Sequence, residues 1–115
     1  MTIIILKSPT SRYHVAQLAR DSFGEMIKGV VDVSRRVIAL GGELHSDEES
    51  ALLDDGSVQN NLWGINLYPA EIGENWIEFD SMINIRPALN NRSRDVEDEN
   101  LRERIREIVT ELIPE

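Results

Sequence analysis

The chain has no cysteine, which excludes a disulfide framework, a thiol nucleophile and a thiolate metal site; a reducing compartment is compatible with this but not demanded. Aromatic residues are scarce, two each of Trp, Tyr and Phe, so the 41% hydrophobic fraction rests on Ile, Leu and Val. Such a composition suits a compact α/β or α+β core rather than a disordered chain. The apolar run at residues 3–6 is far too short for a signal sequence or a membrane span, and the chain reads as cytoplasmic. Positive charge is in deficit, with 12 basic against 21 acidic residues and a formal charge of −9. Phosphate backbones are repelled at long range, which argues against nucleic acid as a partner. Lysine is nearly missing as well: Lys7 and Lys28 stand against a set of arginines concentrated between Arg86 and Arg106. Arginine's planar fork favours bidentate pairing with carboxylate or phosphate.

What is present fits one domain spanning residues 1–115. Residues 2–6 are apolar without alternation, as expected of a central strand covered on both faces. Ser8-Pro9-Thr10-Ser11 supplies turn and cap chemistry for a helix carrying Val15, Leu18, Ala19 and Phe23 at helical spacing, with Gly24 as its stop. Residues 26–33 and 36–40 read as a β-hairpin turning at Ser34-Arg35. After Gly41-Gly42, Ser46-Asp47-Glu48-Glu49 fits a capping box opening a short helix that Gly56 ends. Residues 62–68 and 76–86 form a second hairpin connected through Pro69, Gly73 and Asn75. A last helix carries Leu101, Ile105, Ile108, Val109, Leu112 and Ile113 as an apolar stripe and stops at Pro114. The order β-α-β-β-α-β-β-α implies an α+β fold: a mainly antiparallel sheet of about five strands with three helices.

Two segments echo each other. Ile65-Asn66-Leu67-Tyr68-Pro69 recurs as Ile83-Asn84-Ile85-Arg86-Pro87, and both read as the outgoing end of a strand. Alternation sends the aliphatic residues to one face and Asn with Tyr or Arg to the other. Asn66, Tyr68, Asn84 and Arg86, joined by Arg92 and Arg94 ahead of the last helix, are therefore the expected lining of a pocket for a small anionic ligand. If Tyr68 pairs near Trp76, Asn66 lies near Glu78 and Asp80 follows on the same face. Asp80 or His45 is then the candidate catalytic base, with Arg86 as electrostatic stabiliser. No nucleophile–base spacing is visible, so whether a reaction is catalysed stays open. A solvated sheet face and ordinary surface ion pairs are the competing explanation.

Other motifs carry less. Glu43, His45 and Asp47 are the candidate metal ligands, but capping and dipole electrostatics at a helix start already account for Asp47, and no metal is assigned. Gly41-Gly42 lacks the Lys-Ser/Thr of a Walker loop. Asp54-Asp55-Gly56-Ser57 lacks the ligand pattern of an EF-hand and reads as a helix stop. Which cofactor, if any, the chain uses is unknown from the sequence. Trp63, Trp76 and Tyr68 at a sheet edge, together with the last helix, suggest the alternative of an interaction module or homodimer without catalysis.

The strings Gly41-Gly42-Glu43-Leu44-His45, residues 62–69, and residues 81–87 with Asn91-Arg92-Ser93 resemble a small prokaryotic family catalogued only as a domain of unknown function. The likeness spans nearly the whole chain. It implies a free-standing bacterial or archaeal protein and transfers no catalytic or binding residue.

Overall fold

A computed structural model describes residues 2–115. Among these, three α-helices and one five-stranded sheet follow in the order β1 (Ile4–Leu6), α1 (Arg12–Asp21), β2 (Ile27–Asp32), β3 (Val37–Leu40), α2 (His45–Asp54), β4 (Leu62–Leu67), β5 (Ile77–Glu78) and α3 (Glu99–Leu112). The sheet is antiparallel throughout, ordered β1-β3-β2-β4-β5. It is an α+β fold. No helix among the described residues is long and apolar enough to cross a membrane.

Both sheet faces are covered. On one, Ile27, Val31, Ile38, Trp63, Ile65 and Leu67 pack with Val15 and Ala19 of α1 and Ile105, Ile108, Val109 and Leu112 of α3. On the other, Val30, Val37, Ala39 and Leu62 pack with Leu52 of α2. Alternate residues of each strand feed the two layers, and each large side chain so buried contributes about 1.5–3 kcal/mol. The first strand lies at the sheet edge, not at its centre as its composition suggests. Its unbroken apolar run reflects two packed faces, since Ile3 and Ile5 join one layer and Ile4 and Leu6 the other; it says nothing about neighbours in the hydrogen-bonding direction.

The β2–β3 turn lacks Asn-Gly because Asp32 does its work. The Asp32 carboxylate accepts from the backbone N–H of Ser34 and of Arg35, both at 2.9 Å, and Arg36 closes the turn in the left-handed region at φ 59°. Ser11 caps α1 by accepting from His14 N–H, and Asp98 caps α3 by accepting from Asn100 N–H. The capping box expected at Ser46 is absent. Helix α2 starts earlier, with Leu44 as N-cap and no side-chain acceptor. Glu48 instead turns inward and accepts from Gly42 N–H at 3.1 Å.

The expected strand over residues 76–86 shrinks to two residues, after which the chain bends into 3₁₀ turns at Met82–Asn84 and Pro87–Leu89. The cause is visible at Gly64. Asn66 opposes Glu78, so a continued ladder would bring Asp80 to Gly64. The Asn84 carboxamide takes that place: its Oδ1 accepts from Gly64 N–H at 2.8 Å and its Nδ2 donates to Gly64 C=O at 3.0 Å. A side-chain amide thereby mimics a peptide group and completes the sheet edge. Ser81 sits so close over Gly64 that a Cβ there would lie 2.5 Å from its Oγ, so only glycine admits this crossing.

Candidate functional site

In the ladder β2-β4-β5, Lys28 opposes Asn66 and Asn66 opposes Glu78. The three side chains form a row across the sheet on the face that α2 covers. His45, the first residue of α2, lies over this row, and the 80–83 bend closes the side. Together they line a cleft of about 340 Å³ whose remaining wall includes Met26, Leu44, Met82 and Arg94.

Asn66 is only 5% exposed. Its Nδ2 donates to Glu78 Oε1 at 2.9 Å and to the Asp80 carbonyl at 3.1 Å, while its Oδ1 meets no donor in hydrogen-bond geometry among the described residues and the amide also interacts with the His45 side chain. Tyr68 extends the chain of contacts by donating its hydroxyl to the same Glu78 oxygen at 3.1 Å. Burial, then this contact with Glu78, raises the phenol above its ordinary pKa. His45 Nε2 lies 2.9 Å from the Ile65 carbonyl. A carbonyl can only accept, so Nε2 carries the ring proton and Nδ1 keeps its lone pair. Burial lowers the imidazole below its usual pKa, against the opposing pull of the Ile65 carbonyl, and the ring is a neutral base near pH 7.

Lys28 has no hydrogen-bond or ion-pair partner among the described residues; its ammonium lies 5.3 Å from the centre of the Phe23 ring. The carboxyl of Glu48 behind it is buried, and desolvation pushes its pKa up to about 9 despite the Gly42 N–H and the Lys28 charge. Glu48 therefore stays protonated at neutral pH and does not neutralise Lys28. Asp80, by contrast, is engaged by Arg94, whose Nε lies 2.5 Å from its Oδ1.

The residues expected to form one pocket are thus divided. Asn66, His45, Asp80 and Arg94 line the cleft, and Tyr68 reaches it through Glu78. Asn84 does not face it: that side chain is fully buried in backbone hydrogen bonds to Gly64 and to the Arg94 carbonyl. Arg86 turns to α2, where Nη2 bonds Glu49 at 3.1 Å and the guanidinium lies 5.1 Å from the Trp63 ring centre. Arg92 is exposed, and its backbone N–H bonds Glu97. At the start of α3, where an anion site was expected, Asp98 accepts from Asn100 N–H, and just ahead of the helix Asn91 accepts from Glu97 N–H. Glu43 and Asp47 are exposed while His45 bonds Ile65, and no group of three His, Asp or Glu side chains suited to a metal occurs among the described residues. Trp63 and Trp76 pack in the core rather than at a docking edge.

Lys28 escaped the sequence reading. Its signal was there: a single charge in the otherwise apolar strand Ile27-Lys28-Gly29-Val30-Val31 costs too much to place without a polar niche.

The fold and cleft define a small α+β protein with one antiparallel sheet, helices on both faces, and a charged row under the first turn of α2. Residues 4–112 match the family described as protein of unknown function (DUF5674), and the chain belongs to that family. No curated protein and no solved structure matches it.

Proposed function

We propose that the chain is a cytoplasmic binding protein whose cleft takes a small ligand through an anionic group, a carboxylate or a phosphate. The observation that carries this reading is the unpaired ammonium of Lys28 at the edge of a formed cleft. A partly buried charge without a counter-ion is costly and gains most from one. Support comes from α2, whose first-turn amides meet no capping side chain at Leu44 and so favour negative charge beside them. Should the bound molecule react, His45 is the group available to accept a proton through Nδ1; Asp80 is held by Arg94.

The test is a ¹H–¹⁵N NMR titration of the intact chain with propionate and with inorganic phosphate at low salt. Saturable shifts are expected at the amides of Lys28, His45, Ser46 and Asn66, and Lys28→Met should abolish them. Shifts that are absent, or that survive in Lys28→Met, would overturn the assignment.

A further inference from the structure

The charges lining the cleft sum to zero. Lys28 and Arg94 oppose Glu78 and Asp80, and Arg94 and Asp80 already bond each other. What remains is one cation and one anion that do not meet. Lys28 and Glu78 stand two strands apart with Asn66 between them, a backbone separation of about 10 Å. Glu78 accepts from Asn66 and Tyr68 through Oε1 alone, which orients its carboxylate and leaves Oε2 without a donor among the described residues. Between the two charges lies Asn66, more than nine-tenths buried, with Oδ1 in no hydrogen bond among the described residues.

A purely anionic ligand on Lys28 would press its charge toward Glu78, and a purely cationic one on Glu78 would press toward Lys28. A molecule bearing both charges a few ångströms apart satisfies the row end to end. It also enters the field of a chain of formal charge −9 without the repulsion a net anion meets. The facing wall is apolar, with Leu44 55% and Met82 65% exposed and Met26 beside them. Methionine adapts to varied apolar shapes, and this wall has area to cover.

We infer that the occupant is a small zwitterion of the α-amino-acid type with an apolar side chain, its carboxylate on Lys28, its ammonium on Glu78 and its side chain against Leu44 and Met82. This rests on the anionic-group reading above and specifies it.

Three matched probes test it by calorimetry on the intact chain: L-leucine, 4-methylpentanoate, which lacks only the ammonium, and 3-methylbutylamine, which lacks only the carboxylate. Leucine should bind about tenfold or more tighter than 4-methylpentanoate, the worth of one charge-assisted contact, and the amine should not bind. Glu78→Gln should erase the preference for leucine, weakening leucine while 4-methylpentanoate, relieved of the facing carboxylate, binds at least as tightly as to the parent chain. Lys28→Met should weaken both. Unfolding curves of each variant establish that it is folded. Equal binding of leucine and 4-methylpentanoate would overturn the zwitterion while sparing the anionic-group reading, as would silence from all three probes alongside NMR shifts with phosphate. Binding of the amine alone, or silence in both experiments, would overturn both.

Discussion

Glu48 is the acid that the fold keeps uncharged. It lies in the first turn of α2 on the stripe facing the sheet and is fully buried, with one oxygen on Gly42 N–H and Oε1 without a partner among the described residues. A Cβ on Gly42 would fall 2.9 Å from Glu48 Cγ, so the glycine makes room for the carboxyl. The linkage has a definite sign. Because burial raises the folded pKa to about 9 from an ordinary 4.5, the contribution of Glu48 to stability is fully present below about 4.5 and is lost progressively as pH climbs through 9. Glu48→Gln keeps the shape and removes the proton. Urea denaturation between pH 5 and pH 9 should show the parent chain losing stability through this range and the variant losing much less, with an advantage at pH 8 of roughly a few kcal/mol. Parallel curves would mean that the carboxyl ionises in place.

Element boundaries separate what was legible in the sequence from what was not. Helices α1 and α3 and strands β2 to β4 carry apolar spacing that matches the layers they enter, except that Phe23 falls beyond the end of α1 and is exposed, and the pairing of Asn66 with Glu78 follows from alternation and turn length. Helix α2 is different, since its inward stripe reads His45, Glu48, Leu52, and polar residues on a buried stripe look like an exposed face. The second copy of the Ile-Asn echo misled for a related reason. Alternation alone does not distinguish an amide that faces solvent from one that replaces a peptide group, and Asn84 does the latter. The same fact explains why the expected pocket lost Arg86: once the chain bends at Ser81, residue 86 is carried past the cleft to Glu49 on α2. Asn84→Ala should therefore behave as a structural change. It leaves Gly64 N–H, Gly64 C=O and the Arg94 carbonyl without partners, for a loss of about 2–4 kcal/mol. Asn84→Asp sets a carboxylate against the Gly64 and Arg94 carbonyls in a fully buried site and should be no more stable than Asn84→Ala at neutral pH. Denaturation midpoints measure the cost, and faster exchange of the Gly64 amide locates it; a midpoint unchanged in Asn84→Ala would remove the edge-completing role.

At the scale of the whole molecule, the excess of 21 acidic over 12 basic residues acts on a body with a radius of gyration of 12.8 Å. Only neighbouring charges on such a surface lie within the Debye length at ~0.1 M salt, about 10 Å, whereas at ~0.01 M the screening distance of about 30 Å approaches the molecule's longest dimension of 37 Å. Two opposing terms respond to salt. Ion pairs such as Lys7–Asp55, Arg36–Glu111 and Arg94–Asp80 weaken, but all have solvent-exposed partners and exposed pairs contribute little, from nothing to about 1 kcal/mol each. General repulsion among the surplus carboxylates also weakens, and it sums over every unpaired acid while largely vanishing in the expanded unfolded chain. The second term should win. Thermal unfolding at neutral pH is expected to shift upward by a few degrees between 10 mM and 150 mM NaCl, and sodium sulfate at matched ionic strength should raise it further because sulfate is excluded from protein surface. A midpoint that falls on adding NaCl would show that the surface ion pairs outweigh the surplus.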